Sequence, residues 1–232
     1  MIRLWFSFII SILYVSPLFG QKLQSKYSCP ETRLTDTIVQ ESFHFSHGKT
    51  IVLCGFQNTE GKQISYSEFV LSVCASDTII DFWSAVLSCR LSLLKDTLLI
   101  EEFHLLPIGK KFNFEETVWT TEKIFFQGEK LMRKREVNQQ IQHYSNKEIQ
   151  EVLKQYKTAP LGLGEQKMNY AYELFMATIS GNQTARNYFI NFPNMCDILD
   201  GANKEEYNEL KSMLQLWDEK NLEIQKQNGT KN

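Results

Sequence analysis

Between residues 35 and 128 the apolar positions repeat at a strand period, and between 145 and 218 they fall three and four apart. Thr35 to Phe45 and Lys49 to Phe56 read as two strands. The second is apolar on both faces, Ile51 and Leu53 against Val52, Cys54 and Phe56, as expected of a strand covered from two sides. Asn58-Thr59-Glu60-Gly61 is turn chemistry. In the stretch from Gln63 to Pro107, Phe69, Leu71 and Val73 alternate with Glu68, Val70 and Ser72. Ala75-Ser76-Asp77 turns the chain, and Thr78 to Ser84 and Ala85 to Leu94 form short strands. After a turn at Lys95-Asp96, Thr97 to Leu105 forms another strand, with Leu99, Phe103 and Leu105 assigned to one side. Pro107-Ile108-Gly109-Lys110 interrupts it. Lys111 to Phe126 is then a long strand or hairpin with Phe112, Phe114 and Val118 in phase. Lys130 to Gln142 is charged and polar and reads as a junction.

Ser145-Asn146-Lys147-Glu148 is a capping box. It opens a helix whose Ile149, Val152, Leu153 and Tyr156 share one face. Thr158 to Glu165, with Pro160, Gly162 and Gly164, reads as a linker. Met168, Ala171, Tyr172, Phe175 and Ile179 line a second helix that ends near Gly181. Ala185, Tyr188, Phe189 and Phe192 line a third, stopped by Pro193. Asn203 is expected to cap a fourth, with Glu205 and Glu206 in its first turn and Tyr207, Leu210, Leu214 and Trp217 as its stripe. From Glu219 onward the polar chain is expected to fray. Strands followed by helices, without alternation, give an α+β fold: an N-terminal antiparallel β-rich domain (a meander, sandwich or partly open barrel) and a small C-terminal helical region.

The N-terminus changes the picture. Arg3 is followed by an almost wholly apolar run from Leu4 to Leu18, then Phe19-Gly20 and polar Gln21-Lys22. This is the layout of a secretory signal peptide, residues 1–20, with cleavage after Gly20. The organisation is therefore 1–20 signal peptide, 21–144 β-rich domain, and 145–232 helical region with a polar tail. The expected location is secreted or periplasmic, with no membrane span after cleavage. All five cysteines follow residue 20, so disulfides are permitted; the odd number leaves at least one unpaired within the chain, and buried free thiols acting as small hydrophobes are the alternative. Cys74 and Cys89 flank one predicted hairpin and are the expected pair.

Composition adds limits. The 232 residues are 43% hydrophobic and 22% charged, with 16 Phe, 9 Tyr and 4 Trp, enough for a sizeable core. The formal charge of -2 provides no basic field for nucleic acid, so no such partner is expected. Asp36-Thr37-Ile38, Asp77-Thr78-Ile79 and Asp96-Thr97-Leu98 read as strand entries. They also resemble an O-glycosylation acceptor pattern of exported Bacteroidetes proteins, as Leu18-Phe19-Gly20-Gln21-Lys22 resembles the cut region of such proteins. That resemblance implies a bacterial exported protein and carries no site residues.

Candidate chemistry is sparse. His44, His47 and Cys54 come nearest to metal spacing, but His44-x-x-His47 on a strand places its rings on opposite faces, so they read as sheet and turn residues. Glu101, Glu102 and His104 lie on one strand, and Glu102 shares a face with His104. Glu102, His104 and His143 are the catalytic candidates if the chain is an enzyme. The run Lys130 to Arg135 could meet an anionic glycan, a phosphate or an acidic partner, and otherwise reads as solvated. Walker, Gly-x-Ser-x-Gly, His-Glu-x-x-His and Cys-x-x-Cys patterns are absent from the sequence, and no cofactor or metal is expected. The expected function is a non-enzymatic binding module for a protein or envelope component, of undetermined oligomeric state. The alternatives are a secreted hydrolase or isomerase with its site at the β/α junction, and a small-ligand carrier. Convergence of Glu102, His104 and His143 in one cleft would point to the enzyme.

Overall fold

The structure, a computed structural model, describes residues 39–59, 64–74, 78–85, 87–159, 167–195 and 201–229. The expected signal peptide at 1–20, Cys29, Cys196 and the Asp36-Thr37-Ile38 triplet lie outside these described residues.

Eight strands form one antiparallel sheet: β1 (Val39–His44), β2 (Thr50–Asn58), β3 (Ser65–Val73), β4 (Thr78–Trp83), β5 (Ser88–Leu94), β6 (Thr97–Leu106), β7 (Glu115–Gln127) and β8 (Lys130–Val137). Four helices follow: α1 (Asn146–Thr158), α2 (Lys167–Ile179), α3 (Gln183–Met195) and α4 (Gly201–Gly229). The fold is α+β, and its sheet is an open meander in the order β1-β2-β3-β5-β6-β7-β8, with β4 also on β3. β3 carries β4 along Phe69–Val73 and meets β5 only where Tyr66 faces Cys89. β4 and β5 are thus successive segments along one side of β3, and the chain passes there from one half of the sheet to the other. The sheet curls at this point. Phe43, Phe45, Ile51, Leu53, Phe69 and Leu71 from the first half share a core with Leu98, Ile100 and Ile124 from the second. Phe45 and Phe126 meet edge to face across it at 5.1 Å.

Local chemistry explains the pairings. Lys95 and Asp96 both adopt positive φ, 45° and 58°, in the two-residue turn from β5 to β6. Gly55 is required by close approach: a Cβ there would collide with Phe69, where the β2–β3 register shifts and Glu68 takes φ 46°. A second shift lies between Glu102 and Phe103 of β6, which face Thr120 and Val118, so Trp119 is the extra residue of β7. That bulge turns the Trp119 ring into the second core. There it lies 5.9 Å from Trp217 of α4 and 5.5 Å from Phe175 of α2. Tyr144 adds a tie, donating to the Pro107 carbonyl at 2.6 Å. The Ser145–Glu148 capping box is present, and Ile149, Val152, Leu153 and Tyr156 are all buried.

Several sequence expectations are corrected. Lys130 to Val137 is a strand and not a junction, and it pairs with β7 from Gln127 to Thr120. Leu99, Phe103 and Leu105 do share one side of β6, and the buried side is the other one, Leu98, Ile100 and Glu102. Lys110–Phe112 is a short 3-10 turn, so β7 begins at Glu115. α3 continues past Pro193 to Met195. α4 starts at Gly201, which places Asn203 inside it, and continues as helix beyond Glu219 to Gly229. Cys74 and Cys89 are both free thiols. Cys74 follows the end of β3, whereas Cys89 faces Tyr66 near its start. Eight strand residues separate those points by on the order of 25 Å, far beyond disulfide reach. The disulfide-bonded cysteine among the described residues is Cys54.

One helical carboxylate is poorly served. Glu173 Oε2, on α2, is buried without a hydrogen-bond partner, and burial followed by Glu151 raises the group to about 7 from the ordinary 4.5. The folded chain therefore keeps this proton where the unfolded chain has released it. The associated stability is complete below pH 4.5 and lost as the pH rises towards 7. Glu173→Gln is expected to be near neutral at pH 4 and stabilising by about 1–2 kcal/mol at pH 8, a value reduced for partial exposure. Urea unfolding at the two pH values checks this; an equal effect at both would exclude the linkage.

Candidate functional site

The inner face of β6 changes from apolar to polar halfway along. Leu98 and Ile100 are fully buried, and Glu102 follows at 4% exposure. Its ladder neighbours are Cys89 on β5 and Thr120 on β7. Thr120 Oγ1 donates to Glu102 Oε2 at 2.5 Å, and Arg135 of β8 pairs with the same oxygen. Arg135 stands opposite Glu122 in the ladder but reaches past it. Glu122 is served instead by Arg133, whose Nε lies 2.5 Å from Oε1. Arg133 also reaches β4: Nη2 lies 2.6 Å from Asp81, Nη1 donates to the Ile80 carbonyl at 3.3 Å, and the guanidinium lies over the Trp83 ring at 5.9 Å. The result is a staggered ladder of two arginines and three carboxylates between the core of the sheet and that of the helices.

The electrostatics suit holding rather than reacting. Glu122, and then Asp81, raise the Arg133 pKa against the effect of burial. Burial pushes Asp81 up, but the bonds from Arg133 and the Phe82 amide outweigh it and leave the carboxyl below its usual range. The Cys89 thiol is pushed up to about 12, first by burial and then by Glu102, so it is no nucleophile at neutral pH.

His104 continues the face two residues on. Its Nδ1 lies 3.5 Å from Glu209 of α4 in a cleft of about 250 Å3 that also takes in Ser88, Leu105, Glu116 and Tyr172. Burial lowers the imidazole pKa, more than Glu102 raises it, so the ring is neutral at pH 7. Burial and then Glu206 raise Glu209. His104 is thus a neutral imidazole beside a carboxylate, which is half of a general-base arrangement. Among the described residues no hydroxyl or thiol is hydrogen-bonded to it.

The structure places Glu102 and His104 on one face, within electrostatic reach of each other. His143 is apart from them: it is exposed in the loop before α1, with its ring 5.7 Å from Trp217. Of the residues at metal spacing, His44 Nδ1 lies 3.1 Å from the Thr50 hydroxyl, His47 is exposed, and Cys54 is in its disulfide. Among the described residues no group of three or more His, Cys, Asp or Glu could hold a metal ion. Likewise, no described helix is long and apolar enough to cross a membrane.

Sequence reasoning missed Arg133, Arg135, Glu122 and Asp81. A signal was present: after the turn at Gly128, Leu131, Arg133, Arg135 and Val137 alternate at strand period, all on the inner face. The density of charge in Lys130 to Glu136 obscured it. No family model, curated protein or solved structure gives a significant match to this chain, so every role here rests on its own geometry.

Arg135→Ala is expected to cost about 2–3 kcal/mol in unfolding free energy, less than the loss of a fully buried partner because Arg135 is 47% exposed. Adding Glu102→Gln should recover about 1 kcal/mol by removing the stranded charge. Urea unfolding of the cycle tests this; strictly additive losses would remove Glu102 and Arg135 from the role given them.

Proposed function

We propose that this chain is an exported binding module that receives a protein partner on its helical face, in the groove between α3 and α4. The observation that carries the reading is the groove itself, about 360 Å3, lined by Phe189, Ile190, Tyr207, Leu214 and Leu222. Ile190 and Leu222, both lining this groove, are 55% and 56% exposed, so the apolar centre is open to a partner. Their margin is polar: Arg186 grips Asp218 through two bonds of 3.0 and 2.5 Å, and Lys211 lies over the Tyr207 ring. An apolar centre inside a polar rim is the anatomy of a protein interface. Export is argued from the charged start, apolar run and small residue of positions 1–20.

The alternatives have less support. The enzyme reading needed Glu102, His104 and His143 in one cleft, and His143 lies elsewhere, against Trp217. The carrier reading needed an empty apolar interior, and the curled sheet is filled by Phe43, Phe45, Phe69 and Trp83.

The reading is tested in the cells that make the protein, with a photo-crosslinking residue at 190 or 222 and a control at Lys154 on the exposed side of α1. The expected result is one defined protein adduct from both groove positions, none from the control, and its loss when the other groove position is charged, by Leu222→Glu with the probe at 190 or Ile190→Glu with the probe at 222. No adduct, or the same adduct from position 154, overturns the site. An intact mass that retains residues 1–20 in a cytoplasmic fraction overturns export.

A further inference from the structure

The outer face of β6, β7 and β8 carries a further concavity. It lies on the opposite side of the sheet from Glu102 and Thr120, at the end of the β7–β8 hairpin remote from its turn. Its volume is about 400 Å3, and its walls are Glu101, Thr121, Glu136, Asn138, Gln139 and Gln140 around Val118 and the end of β8. We propose that this groove binds a neutral, hydroxyl-rich ligand of one or two sugar rings.

Charge is the first argument. Both carboxylates already have fixed counter-charges. Arg90 Nη2 lies 2.6 Å from Glu101, and Glu136 sits between Lys123 at 2.6 Å and Lys134 at 2.7 Å. Those two lysines, Lys123 first, hold the Glu136 carboxyl down to about 2. The groove therefore offers acceptor oxygens with little unbalanced charge, and a free anion or cation gains little there.

The donor and acceptor set is the second argument. The Gln139 and Gln140 carboxamides and the Thr121 hydroxyl each both donate and accept, which matches the vicinal hydroxyls of a sugar. Val118 at its base suits the C–H face of the ring. The volume falls within the roughly 300–1,000 Å3 of small-ligand sites.

Preorganisation is the third. Asn138 Nδ2 donates to the Val118 carbonyl at 2.9 Å, its Oδ1 accepts from the Gln140 amide at 2.9 Å, and its own amide donates to the Trp119 carbonyl at 2.9 Å. The loop is thereby fixed to the bulge of β7. Gln139 is the adaptable member. Its Nε2 is buried without a hydrogen-bond partner, so the amide can swing towards a ligand without giving up a bond. This inference does not rest on the helical-face reading and survives its failure.

The test is an amide chemical-shift titration of the purified full chain, labelled with nitrogen-15. The probes are maltose, cellobiose, lactose and N,N′-diacetylchitobiose, each raised to about 20 mM, above the millimolar affinity expected of a shallow polar site. Glucuronate and inorganic phosphate are the charged comparators. At least one disaccharide is expected to give saturable shifts confined to residues 118–121 and 136–140. Gln139→Ala with Gln140→Ala should weaken it about tenfold, as the loss of ligand hydrogen bonds requires. Thr121→Val, which removes one hydroxyl, repeats the reading should the double variant lose its native spectrum. The proposal is overturned by no saturable shift with any of the four sugars, by shifts centred elsewhere, by tighter binding of glucuronate or phosphate, or by unchanged affinity in the folded variants.

Discussion

Glu102 is a carboxylate in the middle of a sheet, and the surrounding structure is arranged to accommodate it. An isolated charge so deeply buried would cost many kcal/mol, so it must have both an opposite charge and hydrogen bonds. Thr120 provides one hydrogen bond from the neighbouring strand, and Arg135 provides the charge from the strand beyond. That requirement fixes the pairing of three strands. A slip of β8 by one residue would turn Arg133 and Arg135 to the outer face and leave both Glu102 and Glu122 without their counter-charges. The ion pairs therefore act as a register device for the open edge of the sheet. Their net stabilising effect is modest, since desolvation offsets much of the attraction.

The same polar band explains why the chain has two principal cores. On one side of it lie Leu98, Ile100 and Ile124 with the aromatics of the first half-sheet. On the other lie Leu106, Trp119 and the helices. A single extra residue in β7 places Trp119 in the helical core while its strand neighbours Thr120 and Glu122 remain in the polar band. The bulge thus joins helices to sheet, and it also holds the Asn138 loop through the Val118 and Trp119 carbonyls. Arg133 makes the corresponding connection on the other side, joining β8 to β4 by a side chain where the backbone ladder does not.

Much of the architecture was legible in the sequence because local signals agreed with tertiary demands. The Lys95-Asp96 turn, the Ser145 capping box and the stripe of Tyr207, Leu210, Leu214 and Trp217 each report a short-range cause and stand as read. The failures share another cause. On β6, Leu99, Phe103 and Leu105 were placed on one side and Glu102 with His104 on another, with no local signal that the side of Glu102 is the buried one. On β8, the arginines that neutralise those acids made the strand read as a charged junction. Each mistake hides the other, because a buried acid becomes plausible only once its arginine is seen on a strand. Arg135 is 33 residues away in sequence, and one-strand alternation cannot supply that pairing. The cysteines failed in a related way: flanking a hairpin in sequence was taken for proximity, whereas β4 and β5 run in succession along β3 and carry Cys89 to its far end.

The polar band also bears on which surfaces are available for function. Charges that neutralise one another inside a sheet are poor catalytic groups, since any proton transfer would break the pairing that holds the strands. His104 escapes this only at the margin, where α4 brings Glu209 alongside, and no described hydroxyl or thiol is hydrogen-bonded to it. Function is then better sought where the fold leaves groups less constrained. The outer groove is one such place: the bulge fixes its Asn138 while Gln139 keeps an uncommitted amide. The helical groove is the other. Phe189, Tyr207 and Leu214 pack inward, but Ile190 and Leu222, on the adjoining turns, have no described side chain covering them fully. A helix pair of this length buries its stripe and leaves the flanking aliphatics to whatever is laid across them.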